Sequence, residues 1–406
     1  MTKKLFIVTL VILFILSQLS VFAASKEWTS EEKLAKLTKP AVVRVWAYYY
    51  GTWTIGNYQI PAYYGGFGSG AFINPDGYIM TNAHVVDVYN HDDNKKWENL
   101  AWQLVYTLME NYNLPKEQAI ALITQGYARL GKISSVFTVV TPGGEELPFD
   151  LKEIGASTGE KSGKDIAIIK VEGRNFPTLR LGDSDKVRTG ERIFVAGYPS
   201  AGDLRSIGSK NSQLEWSWAP GSISSDKKST AQGAPLIQVN AEGVTPGNSG
   251  GPVLNSDGQV IGLLTFYMNA NGTLNGPLYC MASNTVQEYV RKAGATNDES
   301  LTDKAYREGL EFYWKGYYTK ALTKFEEVKR LYAKHSEVES LIAECQKNIA
   351  EGNDKRYWPD YYAYLGLLIT LVVAVSIIFI YLKRKKAQAA ITTDQNVTQT
   401  KETSDN

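Results

Sequence analysis

The chain has 406 residues, with 43 Lys and Arg against 42 Asp and Glu, and its formal net charge is +1 at pH 7. This length exceeds what one hydrophobic core usually serves, so we expect two domains with additional segments. The balanced charge creates no global field that would attract nucleic acid, and no nucleic-acid partner is expected. The two cysteines, Cys280 and Cys345, are too few for a disulfide framework. Two separate buried thiols are favoured over a bridge.

The N-terminus has the pattern of a bacterial-type secretory signal. Two lysines precede an apolar run, Leu5 to Leu16, and Val21 and Ala23 supply the small residues of a cleavage site. Residues 1–23 are therefore expected to be a signal peptide. If the segment is not cleaved, it remains as a second anchor, and the rest of the chain still lies on the outer side of the membrane.

The chain that follows begins with a short helix and then becomes rich in strands. Trp28 to Lys39 is amphipathic and is stopped by proline. Ala41 to Gly51 is rich in β-branched and aromatic residues. A turn at Asn74 to Gly77 joins two apolar runs and predicts a hairpin that ends near His84. A single histidine after a strand is either a structural residue or a catalytic base.

A segment of about residues 95–131 interrupts the strand pattern. Trp97 to Asn111 and Pro115 to Leu130 both have a roughly helical period. They predict an inserted helical hairpin, which either borders a cleft or decorates the surface.

Strand patterns return after this insertion. The segment KDIAIIKV, Lys164 to Val171, places Asp165 immediately before an apolar strand. Asp165 is either an ordinary residue at a strand start or the acid that a histidine base needs for its orientation.

A glycine-rich segment, TPGNSGGPVL from Thr245 to Leu254, contains the candidate nucleophile Ser249. A serine hydroxyl needs an adjacent base, an orienting third group and donors for the oxyanion. Flanking glycines lack a Cβ and let a substrate carbonyl approach the backbone. The same residue types also form ordinary turns, so this segment by itself fits a tight turn between strands equally well.

His84, Asp165 and Ser249 occur in this order, each at the edge of a strand-like run. With the segments TNAHVV, DIAIIKV, LGDSDKVRTGE and TPGNSGGPVLNSDGQVIG, they resemble the chymotrypsin-like (trypsin-fold) serine proteases, and more narrowly the HtrA/Deg branch, over about residues 38–295. The resemblance implies a mainly β fold with two six-stranded antiparallel β-barrels and the catalytic residues in the crevice between them. The protease domain would span residues 24–295.

The resemblance also implies roles for individual residues. Ser249 would attack a peptide carbonyl, His84 would transfer the proton, and Asp165 would hold the imidazole tautomer. The N–H groups of Gly247 and Ser249, with Asn248 between them, would bind the oxyanion. No metal ion and no organic cofactor is implied.

Alignment with this family suggests a primary specificity pocket with Gly243 at its base. No aspartate lies there, which disfavours cleavage after Lys or Arg and suggests a modest apolar side chain, although Glu242 is adjacent. The pocket walls would be formed by Thr265, Phe266 and Tyr267 on one edge and by Tyr279, Cys280 and Met281 on the other. Cys280 fits a core cysteine in a final barrel strand equally well.

Residues 300–352 resemble one tetratricopeptide (TPR) repeat, where the HtrA family usually continues into a PDZ domain. The residues at the small and large packing positions of such a repeat are Ala305, Gly309, Phe312, Gly316, Tyr318, Ala321, Phe325 and Val328. Ser336 to Glu351 would be the capping helix. One repeat is below the usual minimum of about three, so the segment should lean on the protease domain, self-associate or act as a spacer. Its use is either spacing or contact with a peptide or protein partner.

An uncharged stretch, Tyr361 to Leu382, is long enough to cross a bilayer as one helix. The basic residues Lys383 to Lys386 follow at once and mark the cytoplasmic side. We therefore expect a single-pass cell-membrane protein with an extracytoplasmic protease domain and a disordered cytoplasmic tail over residues 383–406.

Two functions of different classes follow from these patterns. One is a membrane-anchored serine endopeptidase that hydrolyses proteins or peptides. The other is a non-catalytic, chaperone-like or peptide-binding protein that uses the protease scaffold and binds partners through its TPR-like segment. The complete set of His84, Asp165, Ser249 and flanking glycines favours the enzyme.

Overall fold

The computed structural model describes residues 28–156, 163–199, 215–265, 277–357, 366 and 368–387. The predicted signal peptide, the tail beyond residue 387, and the pocket candidates Phe266 and Tyr267 lie outside these ranges. Residues up to Asp354 belong to one compact unit, and a second unit begins at Lys355.

The first helix in the described part of the chain is α1 (Ser30–Thr38). A barrel of six antiparallel strands follows it. Thr29 caps the helix in a capping box with Glu32. The barrel strands are β1 (Val42–Ile55), β2 (Tyr58–Phe72), β3 (Tyr78–Thr81), β5 (Ser134–Val140), β6 (Glu146–Ile154) and β7 (Ala167–Val171). They pair in the order β2-β3-β7-β6-β5-β1, and β1 also pairs with β2, which closes the barrel. The short strand β4 (Ala128–Leu130) extends the sheet beside the end of β1.

A second closed barrel follows, in the order β10-β13-β12-β11-β8-β9. Its strands are β8 (Arg192–Gly197), β9 (Ser217–Ser229), β10 (Pro235–Ala241), β11 (Pro252–Asn255), β12 (Val260–Thr265) and β13 (Leu278–Ala282). Alternate residues of each strand face the interior, as Val253 and Ile261 do here. The predicted architecture of two six-stranded antiparallel barrels is confirmed in the part of the chain that the structure describes.

Between β3 and β4 lie the short helix α2 (Ala83–Val86) and the two helices of the predicted insertion, α3 (Asp93–Tyr112) and α4 (Lys116–Thr124). The Asp92 side chain caps α3, and Asn113 ends it in the left-handed conformation. Leu100 and Leu104 of α3 are fully buried in the core of the first barrel. The insertion is therefore part of that core as well as a surface feature.

Four helices complete this unit: α5 (Ser283–Lys292), α6 (Leu301–Lys315), α7 (Tyr318–Leu331) and α8 (Val338–Ala350). Helix α6 packs against α7, and α7 against α8. A Cβ built on Gly309 would lie 2.6 Å from the Phe325 ring, so a small residue faces a large one at this contact. Such packing is typical of TPR helices, but membership of that repeat family stays a prediction.

The helices α6 to α8 pack against the protease-like part of the chain, which is one of the arrangements expected for a single repeat. Asp303 accepts hydrogen bonds from the backbone N–H and hydroxyl of Thr178, at 3.0 and 2.6 Å. Glu337 forms ion pairs with Lys36 at 2.8 Å and Lys39 at 3.0 Å. These contacts explain why the helical segment and the barrels form one compact unit.

We expect His335 to make this unit sensitive to acid. The ring is 3% exposed, lies 4.4 Å from the Tyr306 ring between centroids, and accepts a 3.3 Å hydrogen bond from the Glu337 amide. Burial lowers the pKa of His335 to about 3, against the opposing charge of Glu337. Because the unfolded chain takes up the proton near its ordinary pKa of 6.5, the free energy of unfolding should fall as pH drops from about 6.5 toward 3. The slope is at most about 1.4 kcal/mol per pH unit.

The variant His335→Gln tests this expectation, because glutamine keeps an acceptor for the Glu337 amide but does not titrate. Urea unfolding at pH 6.5 and pH 5 should show a loss of stability that is about 2 kcal/mol larger in the wild type than in the variant. Other titrating groups are common to both proteins and cancel in this difference. Equal losses would contradict a buried, neutral His335.

The second unit contains helical residues 368–387. The predicted membrane-spanning stretch, Tyr361 to Leu382, falls only partly within the described ranges. In those ranges, no helix combines the length and the apolar character needed to cross a membrane.

Candidate active site

The candidate base, His84, lies in the short helix α2. This helix is separated by the single residue Asn82 from strand β3, which ends at Thr81. The side chain of His84 is 38% exposed, whereas that of Asp165 is 1% exposed. One edge of the imidazole is therefore open to solvent and the other faces a buried carboxylate.

Asp165 binds His84 through both carboxylate oxygens. Its Oδ2 lies 2.6 Å from His84 Nδ1, and its Oδ1 accepts a 2.9 Å hydrogen bond from the His84 backbone N–H. Two bonds to one residue fix the ring orientation as well as its position. With Nδ1 bound to the carboxylate, Nε2 is the ring nitrogen left to exchange a proton with a substrate or nucleophile.

Two further side chains hold Asp165 in place. The Thr265 hydroxyl donates to Asp165 Oδ2 at 2.6 Å, and the Asn82 amide donates to the Asp165 backbone carbonyl at 2.7 Å. Thr265 ends the buried apolar strand β12 and is itself fully buried. Sequence analysis placed Thr265 on a pocket wall, whereas the structure shows it bonded to Asp165. The signal that could have revealed this was a hydroxyl at the end of an apolar run, because a buried hydroxyl requires a partner.

These contacts shift the pKa values of Asp165 and His84 in opposite directions. Burial favours the neutral carboxyl of Asp165, but the His84 charge and the hydrogen bonds from His84 and Thr265 outweigh it, so the pKa of Asp165 lies below its usual value. Burial likewise disfavours imidazolium, but the Asp165 charge and hydrogen bond, with a smaller contribution from Asp87, raise the pKa of His84. The geometry thus stabilises a protonated His84 when it has accepted a proton.

Ser249 lies in the loop between β10 and β11 and is 7% exposed. Gly247 and Gly250 have φ values of 96° and 84°, in the left-handed region that favours glycine. A Cβ on Gly250 would lie 2.2 Å from the Ser69 carbonyl oxygen, so this position also requires glycine for close approach. The loop conformation therefore depends on the glycines that flank the candidate nucleophile.

Most backbone N–H groups of this loop already have acceptors. The bonded ones are those of Asn248, Gly250 and Gly251, which donate to Thr245 O at 3.2 Å, Leu264 O at 2.9 Å and Asn248 O at 2.9 Å. Within the described ranges, the backbone N–H groups of Gly247 and Ser249 have no such acceptor. They are the two donors that sequence analysis assigned to the oxyanion. The third residue, Asn248, instead closes the loop through its side chain, which donates to Thr245 O at 3.1 Å.

The loop lies against the segment that carries His84. A Cβ on Gly250 would be 2.5 Å from Thr81 Oγ1 and 3.2 Å from the Asn82 nitrogen. Gly250 and Gly251 also pair with Leu264, the neighbour of Thr265. The structure thus brings the surroundings of His84, Asp165 and Ser249 together from both barrels, although the three residues are far apart in sequence.

The predicted specificity pocket is placed only in part. Gly243 is exposed in the turn after β10, and a Cβ there would meet no atom within 4 Å. Of the opposite wall, Tyr279 is partly exposed, whereas Met281 is fully buried. Phe266 and Tyr267 lie outside the described ranges, so the pocket stays a prediction.

The structure corrects the predicted position of Cys280 on the pocket wall. It is fully buried in the interior of the second barrel, and its thiol donates to the Ile237 carbonyl at 3.5 Å. Strand alternation explains this placement, because Leu278 and Cys280 face the barrel interior while Tyr279 and Met281 face the other side. Burial raises the pKa of Cys280 to about 12. Cys280 is therefore a core thiol, and it and Cys345 are free and buried, as expected.

Among the residues that the structure describes, no group of three or more His, Cys, Asp or Glu side chains could hold a metal ion.

Asp87 should shift the pH dependence of this site. It follows His84 by three residues, and its negative charge contributes to the raised pKa of His84. As a candidate general base, His84 must be neutral to accept a proton, so removing this charge in Asp87→Asn is expected to move the acidic limb of any kcat/KM profile that depends on His84 to lower pH and to leave the alkaline plateau unchanged. Profiles of wild type and variant between pH 5 and 9 measure this. A limb that stays in place, or moves to higher pH, would contradict the assignment.

Part of the chain is similar to known proteins. A family model described as a trypsin-like peptidase domain matches residues 68–263. A probable periplasmic serine endoprotease DegP-like of Halomonas elongata is 29% identical over 211 residues, which are 52% of this chain and 31% of that protein. A protein of the same description from Chlamydia pneumoniae is 26% identical over 236 residues, covering 56% of this chain and 35% of that protein.

The chain thus spans about a third of the length of these curated relatives. Among solved structures, an HtrA-type protease AlgW with decapeptide matches at 18% identity with a TM-score of 0.42, covering 65% of this chain and 67% of that chain. On the sequence matches, residues 68–263 are similar to a trypsin-like peptidase domain.

Proposed function

We propose that the chain is an extracytoplasmic serine endopeptidase that uses its trypsin-like peptidase domain to hydrolyse peptide bonds in proteins, with Ser249, His84 and Asp165 as its catalytic residues. The observation that carries this proposal is the buried Asp165 carboxylate bound through both oxygens to His84, at 2.6 and 2.9 Å, beside the glycine-rich loop of Ser249. A solely structural turn at Thr245 to Leu254 would not need this neighbour.

The proposed reaction is transfer of the peptide acyl group to Ser249, followed by hydrolysis of the resulting ester. Ser249 Oγ attacks the peptide carbonyl carbon while His84 Nε2 takes the hydroxyl proton. The carbonyl oxygen becomes an oxyanion, which the N–H groups of Gly247 and Ser249 stabilise. When the C–N bond breaks, His84 returns the proton to the leaving amine and an acyl ester remains on Ser249. Water, deprotonated by His84, then hydrolyses this ester and regenerates the serine.

The location and partners are part of the same proposal. The relatives' names describe them as periplasmic, and the predicted signal peptide favours export of this chain as well. Attachment to the membrane through Tyr361 to Leu382 and partner binding by helices α6 to α8 rest on sequence patterns alone.

Cleavage of a proteome-derived peptide library by the full-length chain tests the proposed activity. We expect internal peptide bonds to be cleaved after small or modest apolar residues, because no acidic residue occupies position 243. Ser249→Ala is the control and should leave the library intact. An untouched library with wild type would favour the non-catalytic peptide-binding function, and equal cleavage by both proteins would contradict catalysis by Ser249.

A further inference from the structure

Ser69 in strand β2 connects the parts of the candidate active site. It is completely buried, and its hydroxyl, amide and carbonyl all have partners. Its N–H donates to Ser249 O at 2.7 Å and its hydroxyl donates to Gly247 O at 2.7 Å. The hydroxyl also accepts from the Tyr198 N–H at 2.8 Å, and its carbonyl accepts from the Thr81 hydroxyl at 2.8 Å.

Two of these four bonds restrain the backbone that would form the oxyanion site. Because a peptide group is planar, holding the Gly247 carbonyl fixes the whole peptide plane between Gly247 and Asn248. Holding the Ser249 carbonyl fixes the plane that follows Ser249. The peptide plane between them, which carries the Ser249 N–H, then has little freedom to rotate. The Gly247 N–H lies in the preceding plane, which is joined to the held Gly247 carbonyl through the dihedral angles of Gly247 alone. This restraint matters because Gly247, at a φ of 96°, has no side chain that would limit its dihedral angles.

The other two bonds tie this loop to the rest of the site. Tyr198 follows the end of β8 in the second barrel, and Thr81 ends β3 in the first barrel, three residues before His84. Ser69 therefore links the loop of the candidate nucleophile to the strand that carries the candidate base. Its hydroxyl is completely buried and bonded to Gly247 and Tyr198.

We propose that Ser69 is a positioning residue, whose hydroxyl holds the Gly247 carbonyl so that the N–H groups of Gly247 and Ser249 converge on the oxyanion. This inference rests on the proposed endopeptidase function. Ser69→Ala would leave the buried Gly247 carbonyl without its donor and the Tyr198 amide without its acceptor. The loop could then rotate at Gly247, and the oxyanion would lose well-placed donors.

The predicted signature is kinetic. Losing one oxyanion donor typically costs about 10²–10³ in kcat, and a misplaced donor costs less, so we expect kcat of Ser69→Ala to fall by roughly 10–100-fold. KM should change by less than about twofold, since these donors act mainly on the transition state. The midpoint of the pH profile should not move, because the contacts between His84 and Asp165 remain.

Ser283 offers a matched control. It is also completely buried, and its hydroxyl donates to the Gly182 carbonyl at 2.8 Å, at the start of helix α5. Ser283→Ala should lower the unfolding temperature about as much as Ser69→Ala but leave kcat unchanged. Ser69→Cys is the second variant, because a thiol is a weak donor of similar shape. Its kcat should lie between those of wild type and Ser69→Ala.

The experiment measures kcat, KM and pH profiles of the full-length variants on an internally quenched peptide that contains a sequence cleaved in the library. A fall in kcat confined to the Ser69 variants, with the thiol variant intermediate, supports the inference. Kinetics of Ser69→Ala equal to those of wild type would overturn it, as would equal losses in Ser283→Ala. If Ser69→Ala does not fold, a Ser69→Cys variant with wild-type kcat overturns it. Hydrolysis by wild type that persists in Ser249→Ala would overturn the proposed function itself.

Discussion

Replacing Ser249 by alanine is expected to lower kcat for peptide hydrolysis by about 10⁶-fold, the loss typical of removing a triad serine. The substitution removes the only atom that forms the covalent ester, while His84, Asp165 and the loop backbone stay in place. The protein should remain folded, because Ser69 binds the backbone of Ser249 and not its hydroxyl.

Kinetics and thermal unfolding of Ser249→Ala check this expectation together. Ser256→Ala is a suitable control, since Ser256 is an exposed serine in the turn just after β11 and should be dispensable for catalysis. A folded Ser249→Ala protein that keeps more than about one per cent of wild-type kcat would contradict the proposed nucleophile.

The change Asp165→Asn is expected to lower kcat by about 10⁴-fold near neutral pH, with a smaller effect on KM. In the wild type, the Asp165 carboxylate accepts a hydrogen bond from His84 Nδ1–H, which leaves the unprotonated Nε2 as the base. The side-chain amide of the variant can donate to Nδ1 instead. The ring proton then lies on Nε2, which must be unprotonated to accept a proton from the serine. The amide also lacks the negative charge that raises the pKa of His84.

NMR of the imidazole nitrogens can follow this tautomer, because the chain has only 3 histidines. Wild type should show His84 protonated at Nδ1 above its pKa, and Asp165→Asn should show it protonated at Nε2. Asp183→Asn, a change at a carboxylate bonded to Asn284 away from His84, is the control. A loss in kcat below about tenfold for Asp165→Asn would remove Asp165 from the proposed mechanism.

The two barrels could be predicted because their strands carry a strong local pattern, and because four motifs resembled one family in order and spacing. The helices of the insertion were also predicted, since both segments have a roughly helical period. The start of α3 at Asp93, capped by Asp92, lies four residues before the predicted start at Trp97. The association of α6 to α8 with the barrels was left open. It depends on contacts such as Asp303 with Thr178, between residues 125 apart in sequence, which no local pattern reveals.

The positions of individual side chains were harder to predict than the fold. Strand alternation shows that Cys280 and Met281 face opposite sides of β13, but not which side is the barrel interior. Thr265 was assigned to a pocket wall from the family resemblance. Its bond to Asp165 was not predicted, because the two residues are 100 apart in sequence and no local pattern connects them. Ser69 carried no chemical signal at all, since its role arises only when β2 and the loop of Ser249 meet.

The most direct test of the proposed endopeptidase is a fluorophosphonate label, which reacts with an activated serine, followed by peptide mass spectrometry of the full-length chain. We expect one modified residue, Ser249, with no labelling in Ser249→Ala and much slower labelling in Asp165→Asn. An unlabelled wild type, or a label on another serine that survives Ser249→Ala, would contradict it.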